Sequence, residues 1–200
     1  MRRKTFDRIV TLGGLVVAVM LFIAGGLLLW GHDFANSNVH QQLAQQQITF
    51  PTATELAHPN GTEITPAMQK TLGRYAGQQL LSGPQAKAYA DHFIAVHLSE
   101  MPYNGVYSKV SAASMAQPNN ATLKAEVQTV FTGTTLRGLL LEAYAFWEMG
   151  QIALIGAICS FVLGAVMLVL TGLGFWHSRR VDPAEEIWAR SGQPSQPVAA

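Results

Sequence analysis

The side chains best suited to chemistry are five histidines in the middle of the chain. They are His32, His40, His58, His92 and His97. Two imidazoles and one carboxylate are the usual ligands of a non-haem iron centre with open positions. On a helix, His97 and Glu100 share a face, whereas His92 and His97 point to different sides. A third ligand would have to come from a distant segment, so we predict no metal ligands here.

Other catalytic motifs are missing from the sequence. The chain has a single cysteine, Cys159, which lies in an apolar run, and it contains no Gly-x-Ser-x-Gly. It also lacks a glycine-rich phosphate loop and a dinucleotide fingerprint. We therefore predict that the protein is not an enzyme, with no catalytic residues and no cofactor-binding residues.

Two long apolar runs flank the middle of the chain. They extend over 9–30 and 151–176, and neither contains Asp, Glu, Lys, Arg or His. A helix of about 20 apolar residues crosses the hydrocarbon core, and both runs reach that length. The first run exceeds the roughly 7–15 apolar residues of a signal peptide, so we interpret it as an uncleaved anchor. Both runs are predicted to be transmembrane helices.

The basic residues are clustered outside the two apolar runs. Arg2, Arg3, Lys4 and Arg8 precede the first run, and Arg179 and Arg180 follow the second. The positive-inside rule places segments 1–8 and 177–200 in the cytoplasm and 31–150 outside the plasma membrane. The outer segment holds six basic and eight acidic residues, a formal charge of −2, which gives no indication of nucleic-acid binding. The polar, proline-containing tail is predicted to be largely disordered.

Proline and glycine divide the middle segment into helices. The predicted breaks are a loop at 50–65, Ser82-Gly83-Pro84, Pro102-Tyr103-Asn104-Gly105, Pro118-Asn119-Asn120 and Gly133-Thr134-Thr135. Between them, apolar residues recur at helical spacing over 66–80, 84–100 and 105–116 and at Leu123, Val127, Val130 and Phe131, with no alternating strand pattern. Ser82 and Asn120 are the predicted N-caps of the second and fourth of these helices. One continuous helix is predicted from Leu136 to Arg180. The fold class is therefore all-α: two transmembrane helices flank a small extracytoplasmic helical bundle and extend out of the bilayer as stalks.

Small residues in the second apolar run are spaced for helix packing. Gly156, Ser160 and Gly164 are four residues apart and fall on one face. Gly14 and Ala18 begin a similar row in the first run. Small side chains let membrane helices approach closely, so we predict that this row packs against the first helix.

Three segments carry a family resemblance. They are Gly73-Arg74-Tyr75-Ala76-Gly77-Gln78-Gln79-Leu80, Gln85-Ala86-Lys87-Ala88-Tyr89-Ala90-Asp91-His92-Phe93-Ile94 and Thr135-Leu136-Arg137-Gly138-Leu139-Leu140-Leu141. With the two apolar runs, they resemble an actinobacterial family of two-span membrane proteins of uncharacterised function. Some members carry the label of an aromatic ring-opening dioxygenase subunit, which would imply an iron site. The scattered histidines do not support that chemistry.

Two functions fit these observations. The first is an accessory or scaffolding component of the cell envelope, with the lipid bilayer and other membrane proteins as partners. The alternative is an extracytoplasmic ligand-binding sensor. About twenty residues follow Arg180, too few for a kinase or cyclase domain, so a sensor would need a separate cytoplasmic partner.

Overall fold

The computed structural model describes residues 3–57 and 66–180, and these residues are almost entirely helical. The helices are α1 (Arg3–Gln46), α2 (Ala53–Ala57), α3 (Pro66–Leu72), α4 (Gly83–Tyr89), α5 (Ala95–Glu100), α6 (Tyr107–Ala116) and α7 (Ala121–Ser178). Within the described residues no strand forms, and Thr49 and Gln79 make an isolated antiparallel bridge. The all-α prediction is confirmed. His58 and the predicted disordered tail beyond Arg180 lie outside the described residues.

The chain divides into two units. The apolar unit comprises Met1–Trp30 and Leu154–Ala200, and the central unit comprises Gly31–Ala153. In the apolar unit, α1 and α7 are each long and apolar enough to cross a membrane. Only 11% of the most apolar window of either helix is buried, whereas a core helix of a soluble protein would be mostly buried. The prediction of two candidate membrane-spanning helices is confirmed at this level.

The central unit has its own hydrophobic core. Its buried members are Val39, Leu43, Phe50, Leu56, Met68, Leu72, Leu80, Ala86, Ala90, Ile94 and Leu140. Two backbone hydrogen bonds hold the segment after α1 beside the segment before α4: Phe50 N donates to Gln78 O at 2.9 Å, and Leu80 N to Ile48 O at 2.8 Å. The core therefore draws on both long helices and on the short helices between them.

The predicted break at Gly133 is wrong, because α7 begins at Ala121 and continues through it. The side chain of Asn120 accepts a hydrogen bond from Leu123 N at 3.1 Å, which caps the helix at its start. A methyl group at Gly133 would lie 2.9 Å from Leu98 Cδ2. Glycine at this position permits close packing of α5 on α7 and does not end the helix.

Other boundaries also differ from the predictions. The loop predicted at 50–65 contains α2, because Thr52 and Glu55 form a reciprocal cap: Thr52 N donates to Glu55 Oε2 at 2.7 Å and Glu55 N to Thr52 Oγ1 at 3.3 Å. The backbone hydrogen bond from Thr52 lowers the pKa of Glu55. The helix predicted over 66–80 ends at Leu72. The helix predicted over 84–100 forms, but a π-helical turn at Ala90–Ile94 interrupts it.

Candidate functional site

The predicted small-residue row of α7 lies against α1 within the apolar unit. A methyl group at Gly156 would lie 3.2 Å from Leu28 Cδ1, and one at Gly164 would lie 3.1 Å from the ring of Phe22. Gly164 is buried, and Gly156 and Ser160 are half-buried. Advancing along α1 from Phe22 to Leu28 moves the contact backwards along α7, so the two helices run antiparallel. The contribution of this row to the stability of the helix pair stays a prediction.

The buried residues of the apolar unit follow a spacing that the sequence analysis missed. In its described part they are Thr11, Ala18 and Gly25 on α1, and Ala157, Gly164, Thr171 and Ser178 on α7. Each is seven residues from the next, which is the repeat of helices that supercoil with a left hand. All seven are small. The seven-residue spacing is present in the sequence, but the packing prediction used the four-residue spacing of Gly156, Ser160 and Gly164.

Threonine and glycine pack reciprocally at one end of this seam. A methyl group at Gly174 would lie 2.7 Å from Thr11 Oγ1, and one at Gly14 would lie 3.0 Å from Thr171 Oγ1. Each helix thus carries Thr-x-x-Gly, and each threonine occupies the space beside the other helix's glycine. Thr11 Oγ1 donates to Asp7 O at 2.7 Å, whereas the buried Thr171 Oγ1 has no hydrogen-bond partner among the described residues.

A row of rings follows one side of α4 and α5 in the central unit. The ring centroids of Tyr89 and Phe93 are 4.6 Å apart, and those of Phe93 and His97 are 4.5 Å apart. Tyr89 also meets Phe50 edge to face, with centroids 5.4 Å apart. Burial raises the pKa of the Tyr89 phenol, which keeps it neutral. These rings join the π-helical turn to the hydrophobic core.

A pocket of about 350 Å³ opens beside the π-helical turn. We call it the His97 pocket; its lining residues are Phe93, Ile94, His97, Leu98, Glu100, Met101, Thr129, Gly133 and Leu136. Because a carbonyl oxygen only accepts, the 2.7 Å contact of His97 Nδ1 with Phe93 O makes Nδ1 the protonated nitrogen. Their spacing in the sequence predicts that His97 and Glu100 share a face, but no local sequence pattern predicts the π-helical turn.

An ionic bridge ties the π-helical turn to α7. Asp91 Oδ1 accepts from Arg137 Nη2 at 3.0 Å, and Asp91 Oδ2 accepts from Lys87 Nζ at 2.9 Å. Burial alone would raise the pKa of Asp91, but the hydrogen bonds and positive charges of Lys87 and Arg137 together hold it below its usual range. Asp91 therefore stays ionised and holds the two elements together.

The histidines do not converge in the described part of the chain. His32 Nδ1 donates to Gly150 O at 2.9 Å, and His97 donates within its own helix. Among the described residues no group of three or more His, Cys, Asp or Glu could hold a metal ion. The expectation that the protein lacks a metal centre and a catalytic site stays a prediction.

Large apolar side chains are exposed along α6, on the turn before it and on the N-terminal part of α7. We call this surface the aromatic patch; its residues are Tyr103, Val106, Tyr107, Met115 and Phe131, each at least 41% exposed. The rings of Tyr107 and Phe131 are in contact, with centroids 5.7 Å apart. Tyr103 and Asn104 both have left-handed backbone angles, with φ of 58° and 55°. The sequence predicts a helix break here but not these backbone angles.

The chain was compared with family models, curated proteins and solved structures. No family model, curated protein or solved structure matches the chain. The resemblance to two-span actinobacterial proteins stays a prediction.

Proposed function

We propose that the protein is a two-span integral protein of the plasma membrane that acts as an accessory or scaffolding component of the cell envelope. In this proposal both termini are cytoplasmic and the central unit is extracytoplasmic. The clusters of Arg and Lys beyond the apolar runs support the orientation. The large exposed fraction of the two apolar helices supports the membrane location.

The aromatic patch is the observation that carries the accessory role. Tyr103 is 51% exposed, Phe131 50% and Met115 73%. Tyrosine, phenylalanine and methionine are enriched in protein interfaces, and neighbouring exposed apolar side chains often mark an interaction site. The patch belongs to the central unit and not to the apolar unit, which favours a protein partner in the envelope over lipid as what it contacts.

Backbone strain at the same place supports this role. Three consecutive residues, Tyr103, Asn104 and Gly105, have positive φ. For a residue with a Cβ, the left-handed region costs about 1–2 kcal/mol. Tyr103 stays 51% exposed in this turn, so the strain does not serve to bury its ring. Strained residues are concentrated at binding sites, which supports a binding role for this exposed ring.

Photocrosslinking in living cells tests the proposal. A photoreactive amino acid at Met115 should give a discrete crosslinked product, whereas one at the exposed Gln45 serves as a control on α1, which contributes no residue to the patch. Tyr107→Ser should weaken the product from Met115 by removing part of the patch. If positions 115 and 45 give the same products, and Tyr107→Ser changes neither, the patch is not an interaction surface.

The His97 pocket favours the second candidate, an extracytoplasmic ligand-binding sensor that signals through a separate cytoplasmic partner. The pocket is apolar with a few polar groups, as small-molecule sites are. It adjoins α5 and α7, and the latter continues into the apolar unit. A ligand that changes the crosslinking pattern at Met115 would favour the sensor, whereas an unchanged pattern would favour the accessory role.

A further inference from the structure

We infer that the His97 pocket binds a small apolar molecule that carries a hydrogen-bond donor, and that a primary ammonium group is the preferred donor. The shape of the pocket and the polar atoms that line it support this assignment. Ligand binding here does not depend on the accessory role, because the aromatic patch is a different surface of the central unit.

Two local features shape the pocket. In the π-helical turn, Ala95 N donates to Ala90 O, five residues back, so the turn is one residue wider than in an α-helix. Such turns are rare and occur frequently at functional sites. On the facing helix, Gly133 lines the pocket without a side chain, and Leu98, which packs against it, would lie 2.9 Å from a methyl group there. A larger residue at position 133 must displace Leu98, which also lines the pocket, and would therefore change the shape of the pocket.

With His97 in its neutral form, the polar groups of the pocket are all acceptors. His97 uses its Nδ1 hydrogen on Phe93 O at 2.7 Å, and the neutral form of the ring then has its lone pair at Nε2. Thr129 uses its hydroxyl hydrogen on Ala125 O at 3.1 Å, which leaves its oxygen lone pairs. The carboxylate of Glu100 only accepts. A ligand without a donor would leave these acceptors without partners.

The charge of the pocket selects among donors. Among the described residues the ion pairs are Lys87–Asp91 and Arg137–Asp91, and neither involves Glu100. Glu100 therefore contributes negative charge at the rim of an apolar pocket. An ammonium group gains both the hydrogen bonds and this charge, an alcohol gains the hydrogen bonds alone, and a carboxylate is repelled.

Three ligands of nearly equal shape separate these contributions. Cyclohexylmethylamine, cyclohexylmethanol and cyclohexanecarboxylate would be titrated against the full chain in nanodiscs of phosphatidylcholine, with ligand-observed NMR as the readout. We expect affinity to fall in that order, with the amine about three- to tenfold tighter than the alcohol, since Glu100 is exposed at the rim. Empty nanodiscs give the background from lipid partitioning.

Two matched substitutions locate the binding. Glu100→Gln should lower the affinity for the amine to nearly that for the alcohol and leave the affinity for the alcohol unchanged. Glu148→Gln removes an exposed carboxylate on α7, outside the pocket, and should change neither affinity. Gly133→Leu should abolish binding of all three ligands. Gly138→Leu is the control, because nothing lies within 4 Å of a methyl group at Gly138.

Several outcomes would overturn the inference. They are no binding above empty nanodiscs, a carboxylate that binds as tightly as the amine, or an amine-to-alcohol ratio that Glu100→Gln does not change. Binding that survives Gly133→Leu in a protein with unchanged thermal unfolding would place the ligand elsewhere. If Gly133→Leu fails to fold, the Glu100→Gln ratio alone decides.

Discussion

Gly164→Leu tests whether the two apolar helices are held by close approach. A methyl group at Gly164 would lie 3.1, 3.2 and 3.3 Å from three ring carbons of Phe22, so leucine must displace that ring. Phe22 cannot retreat freely, because its centroid is 6.0 Å from that of Phe161. Phe161 in turn lies where a methyl group at Gly25 would approach it to 2.9 Å. The clash therefore spreads along the seam and is not absorbed by one side chain.

The magnitude follows from overpacking and from a control on the same helix. Inserting methylenes into a close-packed site costs about 1–3 kcal/mol, and we expect Gly164→Leu to lower the free energy of unfolding by that amount. At Gly172 nothing lies within 4 Å of an added methyl group, so Gly172→Leu should stay within about 0.5 kcal/mol of wild type. Phe22→Ala should restore space, giving a coupling of about 1–2 kcal/mol with Gly164→Leu.

The assay is reversible unfolding in mild-detergent micelles by added dodecyl sulfate, with wild type and all variants in the same micelle. Complex size is measured alongside, since a change in association would also shift the transition. Equal losses for Gly164→Leu and Gly172→Leu would refute the reasoning, because they would mean that the seam side and the open side of α7 are energetically alike. Strictly additive effects of Phe22→Ala and Gly164→Leu would refute the assigned contact.

Four further predictions follow from single residues. A cysteine at Ser37, which is exposed, should react with an impermeant maleimide in intact cells; labelling only after permeabilisation would reverse the proposed orientation. Because the pKa of Asp91 is lowered in the folded state, its stabilising effect is present above the unfolded pKa and is lost as the pH falls through the folded pKa. In an acid titration of thermal unfolding, wild type should therefore lose stability below about pH 4 more steeply than Asp91→Asn. Gly105→Ala, at φ 64° with a methyl group 2.3 Å from Leu98 O, should lower the free energy of unfolding by more than about 2 kcal/mol, and a neutral result would contradict the turn geometry. Thr171→Val removes a buried hydroxyl without a described partner and should stabilise the apolar unit by about 1 kcal/mol in the micelle assay, whereas destabilisation would mean that the hydroxyl has a partner.

The sequence predicted the features that depend on a few neighbouring residues. The side chain of Asn120 caps α7 as expected, since a cap needs only its own helix turn. Ser82 precedes α4, where Gln85 Oε1 accepts from Ser82 N at 3.1 Å. The turn Pro102–Gly105 separates α5 from α6. The two apolar runs were long enough to identify from composition alone.

The features that sequence reasoning missed depend on packing between distant residues. Gly133, followed by two threonines, is typical of a helix break, but α7 continues through it because Leu98 of α5 packs directly against the glycine and supports the helix there. The π-helical turn brings Asp91 within reach of Arg137, forty-six positions away, and no local pattern encodes that pairing. The seven-residue seam was readable in principle. It requires comparing both helices at once, whereas the four-residue row is visible in α7 alone.

Different forces stabilise the interior of each unit, and this explains why every buried residue in the described part of the apolar unit is small. In the central unit, Phe50 and Leu72 are 1% and 0% exposed, and removing such side chains from water supplies the stabilisation. In the proposed bilayer, apolar side chains gain nothing by leaving lipid for protein. The side chains are small at Thr11, Gly25 and Gly164, so the two helices come close enough for dispersion contacts to accumulate. A large apolar residue at these positions would stabilise a soluble core but would separate this pair.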